Sequence, residues 1–174
     1  MATFYPYLIS SLPTLQFGGK PPFSFVRFIE MCRGLITDED LAHLEQCGGD
    51  DFLQKAQLLR TLAQCASFET GLRNELVKIR AVRKKIDGQK YLRPDGSDDA
   101  ALYHTAMNSH RITSLIESER SLDRARWSRF EELSSGHYFD CDALIIYALK
   151  LRILLRWDIV DHADKQETLE RILA

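Results

Sequence analysis

No lysine or arginine precedes Lys20, and none of the four cysteines stands in a C-x-x-C pair. The first absence removes the positive region that a secretory signal places ahead of its apolar stretch. Pro6, Ser10, Ser11 and Pro13 also cut the opening apolar run far short of the roughly 20 residues that span a bilayer. The second absence, with Cys32, Cys47, Cys65 and Cys141 far apart, excludes a zinc-ribbon pattern. Reduced thiols in a cytoplasm are the expectation. No G-x-S-x-G, no H-E-x-x-H and no glycine fingerprint behind a strand occurs. Gly18-Gly19-Lys20 has the residue types of a phosphate loop, but Pro21 and Pro22 follow, and proline lacks the N–H groups that would cradle phosphate. No segment alternates as a half-buried strand does, so the expected fold class is all-α.

What is present is a chain of 174 residues, 45% hydrophobic and 28% charged, enough for a real core and a solvated surface. Its net charge of −2 argues against nucleic acid as a specific partner. The charge is unevenly spread. Six acids and no Lys or Arg lie between Thr37 and Asp51, whereas eight Lys and Arg face only Glu75 and Asp87 between Arg73 and Arg93. A solvated helix face or docking to an acidic surface would each account for the basic stretch.

Along the chain, Ser24 is placed to cap a short helix with Phe25, Phe28, Ile29 and Met31 inward, ending near Gly34. Thr37-Asp38-Glu39-Asp40 resembles a capping box and starts a second helix through Leu44, which Gly48-Gly49 ends. Asp50 or Asp51 is expected to cap a long run carrying Phe52, Ala56, Leu59, Ala63 and Ala66, resumed by Leu72, Leu76, Ile79, Val82 and Ile86. Gly71 interrupts it, as a weak point or as a junction of two helices. After a polar loop, Asp98 is expected to cap one long helix from Leu102 through Ile112 and Ile116 to Leu133. Two such runs imply a long antiparallel helical hairpin, and a 35-residue helix reaches about 50 Å. The expected organisation is a single helical domain: short helices over 1–50, the hairpin over 51–136, and C-terminal helices over 137–174 packed on the N-terminal segment. Asp140 or Asp142 starts the apolar helix "DALIIYALKLRILLRW", and "DKQETLERILA" reads as a separate short amphipathic helix. The aromatic opening is expected to pack on the apolar helix, burying Tyr7, Leu8 and Phe17.

No catalytic constellation emerges, so the chain is read as a non-enzyme without cofactor or metal. His104 and His110 are six apart and fall on different helix faces. His137 and Cys141 have ligand spacing, but two ligands make no site. His162 reads as a solvated capping group beside Asp161 and Asp164. Glu131 and Glu132 are adjacent and point apart. The basic run lacks the aromatic interleaving of single-strand binders. The residues left as candidates are partner-binding cations at the hairpin tip: Arg83, Lys84, Lys85, Lys90 and Arg93.

Three stretches, "YPYLISSLPTLQFGGKPPFSF" (5–25), "FETGLRNELVKIRAVRK" (68–84) and "HYFDCDALIIYALKLRILLRWD" (137–158), resemble an uncharacterised bacterial family encoded alongside V-type ATPase genes. That family in turn resembles the C-type stalk component of V-type ATPases, called d-type in eukaryotes. The resemblance implies an all-helical, non-catalytic spacer between the central stalk and the membrane ring, without nucleotide or metal. It implies V-type ATPase stalk or membrane-ring subunits as partners, and a cytoplasmic place peripheral to the inner membrane through those subunits. The chain departs from the C-type component in being much shorter and in showing no internal threefold repeat. A helical adaptor or regulator of another complex is the alternative, and the long apolar helices also suit a homodimer.

Overall fold

The computed structural model describes residues 3–49 and 60–173. Among them the protein is all-α, with seven α-helices and no strand. They are α1 (Pro6–Ser11), α2 (Phe25–Cys32), α3 (Asp38–Cys47), α4 (Arg60–Lys84), α5 (Ala100–Arg111), α6 (Leu115–Leu133) and α7 (Cys141–Leu173), with a 3₁₀ turn at Gln89–Tyr91. The chain forms two compact units, one of Met1–Gly49 with Leu133–Ala174 and the other of Asp50–Glu132. The expected cap at Asp50 or Asp51, and Phe52, Ala56 and Leu59, lie outside the described residues.

The first unit is built around α7. Leu144, Ile145, Ala148, Leu149, Leu151, Ile153, Leu154 and Trp157 are all buried, on more than one face, as befits a central helix. Both α2 and α3 pack on it and on each other. Ser24 Oγ accepts from Arg27 N and starts α2, while Thr37 Oγ1 accepts from Asp40 N and starts α3. Of the inward residues expected on α2, Phe28 and Ile29 are buried and Phe25 and Met31 half-buried. The Phe28 ring stacks on Tyr147 of α7 with centroids 5.3 Å apart. Arg152 Nη1 donates to the Cys47 carbonyl at 2.7 Å, satisfying an acceptor at the end of α3 from α7.

The aromatic opening does pack here, with a different aromatic inside. Tyr5 and Leu8 are buried, Phe17 is half-buried, and Tyr7 is 87% exposed. Proline at the start of α1 fixes the helical frame, and positions 5 and 8, three apart, then share the inward face while position 7 points away. Gly19 N donates to the Gln16 carbonyl, closing a turn in which Gly18 takes φ +80°, the left-handed region that glycine enters without strain. Tyr147 Oη donates to the Pro13 carbonyl at 3.0 Å and ties this segment to α7. The closing "DKQETLERILA" is not a separate helix, because the backbone of α7 continues through Leu173.

The second unit carries α4, α5 and α6. Leu72, Leu102, Ala106 and Leu122 form its buried cluster, with Phe68, Leu76 and Ile79 packed against it. Two expectations change here. Gly71 is not a junction of two helices, because α4 runs unbroken from Arg60 to Lys84. It is a notch: a Cβ there would lie 2.5 Å from the Ser97 carbonyl oxygen and 2.7 Å from Leu102 Cδ1. The second long run is also two helices rather than one, and it starts at Asp99, whose carboxylate accepts from Ala101 N, not at Asp98. The chain leaves α5 at Ile112, which is extended, and Ser114 starts α6 by accepting from Glu117 N. Ser109 Oγ donates to the Ser118 carbonyl and Ser118 Oγ to the Ser109 carbonyl, at 3.1 and 3.0 Å, clasping the two helices beside their joint.

Candidate functional site

The five cations singled out from sequence lie at and beside the C-terminal end of α4, where the geometry of the helix stop positions them. Lys85 takes φ 53°; its N–H donates to the Val82 carbonyl, and Ile86 N donates to the Ala81 carbonyl. This is a Schellman stop with lysine where glycine is usual. Gly88 then lies against Ala81, where a Cβ would come within 2.8 Å of the Ala81 methyl. The 3₁₀ turn that follows presents Lys90, whose ammonium sits 4.9 Å from the Tyr91 ring centroid. From there the loop doubles back along α4. Asn74 grips the Arg93 backbone at both ends, accepting from its N–H at 2.9 Å and donating to its carbonyl at 2.8 Å. Ser97 N reaches the Ser67 carbonyl.

Arg83, Lys84, Lys85 and Lys90 are therefore grouped around the helix end, and Arg93 stands further back along α4 beside Asn74. All five are exposed. The surface also has apolar members that charge density does not announce. Val82 is 80% exposed, Tyr91 50% and Ile86 47%. The spacing of Val82 and Ile86 continues the helical stripe of Leu72, Leu76 and Ile79, but both are exposed.

Elsewhere in the second unit, Arg126 Nε donates to Glu69 Oε1 and Nη1 to Asp123 Oδ1. Burial works against the guanidinium charge, yet the two carboxylates more than offset it and raise its pKa above the ordinary value. This is an ion-paired strut between helices.

In the first unit several polar groups are engaged with one another, while His43 Nδ1 is buried without a hydrogen-bond partner among the described residues. Tyr5 Oη donates to the Asp40 carboxylate, and the Cys141 thiol also bonds to Asp40. Burial, then Asp40, pushes the Cys141 thiol upward. Burial pushes Cys47 up to about 12, with Arg152 pulling part of it back, and burial pushes Cys32 up to about 11. Such thiols carry almost no thiolate at neutral pH and are poor nucleophiles.

His137 turns to Asp140 and Asp142, not to Cys141. Its Nδ1 lies 2.6 Å from Asp140 Oδ2 and 3.6 Å from Asp142 Oδ2, and the three ligand-type atoms fall within 4.8 Å of one another. Asp140 Oδ1 accepts from Ala143 N, so this trio starts α7 and both oxygens of Asp140 have protein partners. His104 and His110 are exposed on α5, and His162 Nδ1 is 2.6 Å from the Asp158 carbonyl oxygen. An open cleft of about 300 Å³ lies between the opening segment and α7, lined by Ile9, Leu12, Leu15, Ile146 and Tyr147, with Lys150 at its edge.

A family model described as "Protein of unknown function (DUF2764)" matches residues 54–174. The chain belongs to this family. The matched span takes in the basic end of α4, the strut at Arg126 and all of α7, and leaves out α1, α2 and α3. No curated protein and no solved structure matches the chain. Among the described residues, no helix is long and apolar enough to cross a membrane.

Proposed function

We propose that this protein is a non-catalytic component or assembly factor of a V-type ATPase, similar to the C-type stalk component, acting where the central stalk meets the membrane ring. The observation that carries the reading is the end of α4: Arg83 and Lys84 stand exposed on its last turn, and Lys85, Lys90 and Arg93 on a loop fixed by a Schellman stop and by Asn74. Cations held in place on a stiff support are suited to docking on an acidic partner, since little ordering is left to be done on contact. The resemblance of residues 5–25, 68–84 and 137–158 supplies the identity of the partner, stalk or ring subunits, and with it a cytoplasmic place at the inner membrane.

The test is capture from the native host with tagged protein, read by mass spectrometry. Stalk or ring subunits are expected in the eluate. The triple variant Lys84→Glu, Lys85→Glu, Lys90→Glu is expected to lose them while its helical circular dichroism is unchanged. Recovery of an unrelated complex would favour a helical adaptor or regulator of that complex, and recovery of nothing would remove the ATPase reading.

A further inference from the structure

The surface around the end of α4 is not uniformly polar. Val82 belongs to the last turn of the helix, Ile86 closes the Schellman stop, and Tyr91 ends the 3₁₀ turn. All three are exposed to water among Arg83, Lys84, Lys85 and Lys90. Val82, Ile86 and Tyr91 are interleaved in sequence with these cations. From position 82 to position 93 the chain has five bases and one acid, Asp87.

That combination has a specific complement. A bilayer bearing anionic headgroups offers diffuse negative charge for lysines and, just below, an apolar layer for small aliphatic side chains, while a tyrosine ring suits the boundary between the two. Three of the five cations are lysines, compact point charges without the rigid fork by which arginine grips a single carboxylate. The surface is also built on a helix end and a tight turn. We infer that the end of α4, with the 3₁₀ turn, rests on an anionic lipid surface, Lys84, Lys85 and Lys90 on the headgroups and Val82, Ile86 and Tyr91 in the interfacial layer. The inference rests on the reading of this end as a docking surface and names what it meets.

The experiment is co-sedimentation of the full chain with vesicles of phosphatidylcholine alone and of phosphatidylcholine mixed with phosphatidylglycerol. The protein is expected to sediment with the mixed vesicles only, and less so as salt is added. Lys84→Glu, Lys85→Glu, Lys90→Glu is expected to lower the apparent affinity by roughly tenfold or more. Val82→Ser with Tyr91→Ser, which leaves every charge in place, is expected to lower it several-fold, a loss that adsorption by charge alone would not show. All of the substituted positions are exposed, so unchanged thermal unfolding is expected and serves as the check on folding. Failure to bind mixed vesicles, equal binding to neutral ones, or insensitivity to either set of substitutions would overturn the inference. If wild type ignores vesicles while the triple variant still loses captured stalk or ring subunits, the surface meets protein rather than lipid and the docking reading alone stands.

Discussion

Arg126 donates to Glu69 at 2.6 Å, joining α6 to α4 across 57 positions of sequence. The same guanidinium donates to Asp123, one turn back on its own helix, whose side chain is 2% exposed. A charge so placed is tolerated only while its partners remain. Asp123→Ala is expected to destabilise the protein by about 3–5 kcal/mol, and Glu69→Ala by less, because Glu69 keeps more contact with water. Urea unfolding checks this through a lowered midpoint at unchanged slope; equal midpoints for wild type and Asp123→Ala would show that the strut carries no stability.

At Gly71, helix propensity and packing pull in opposite directions. Alanine would favour an unbroken helix by up to about 1 kcal/mol. Its methyl would meet backbone, the Ser97 carbonyl oxygen at 2.5 Å, as well as Leu102 Cδ1 at 2.7 Å. Backbone does not swing aside as a side-chain tip does, so Gly71→Ala is expected to be net destabilising by about 1–3 kcal/mol. A raised thermal midpoint would mean that the loop moves away at no cost.

Lys85 is the opposite case, a side chain where glycine would be easier. Its φ of 53° costs an L-residue about 1–2 kcal/mol, and glycine gives back part of that gain through its freer unfolded chain. Lys85→Gly is expected to raise stability by about 0.5–1 kcal/mol. The gain should appear in chemical denaturation even as one docking charge is lost. A variant no more stable than wild type would show that the lysine is not strained.

Alkali is expected to destabilise the protein through its buried thiols. Burial raises Cys32 from 9.0 to about 11, Cys47 from 9.0 to about 12 and Tyr147 from 10.0 to about 12. A folded-state value above the unfolded one means that folding holds protons. The stabilisation is then complete below the unfolded pKa and is lost as pH rises through the folded one. The urea midpoint should fall progressively from about pH 9 towards about pH 12. A flat profile over that window would contradict it.

The helix starts that depend on a single residue type in a local frame are readable from sequence. Ser24 and Thr37 cap as their neighbours suggest, and Asp140 begins α7. What escapes depends on partners distant in sequence or on signals masked by periodicity. The break after Arg111 is hidden because Leu102, Ile112 and Ile116 keep an unbroken helical rhythm, although Ser114 and Glu117 carry the spacing of a helix start. The role of Gly71 depends on Ser97 and Leu102, and nothing at position 71 announces them. The five candidate cations are legible from charge density alone. Their relative placement is not, because Arg93 is drawn away by Asn74, nineteen residues earlier. Tyr5 and Tyr7 are the same residue type, so composition does not choose between them; the frame set by Pro6 gives the buried place to Tyr5.

The reciprocal serine pair at 109 and 118 bears on how α5 and α6 find their alignment. Aliphatic faces slide over one another with little change in energy, since one buried methyl substitutes for the next. Two hydroxyls that must each find the other's carbonyl allow no such slippage: a shift of one turn breaks both bonds at once and leaves both hydroxyls without these partners. The pair acts as a detent, fixing the register of the two helices against alternatives that hydrophobic burial alone would scarcely distinguish.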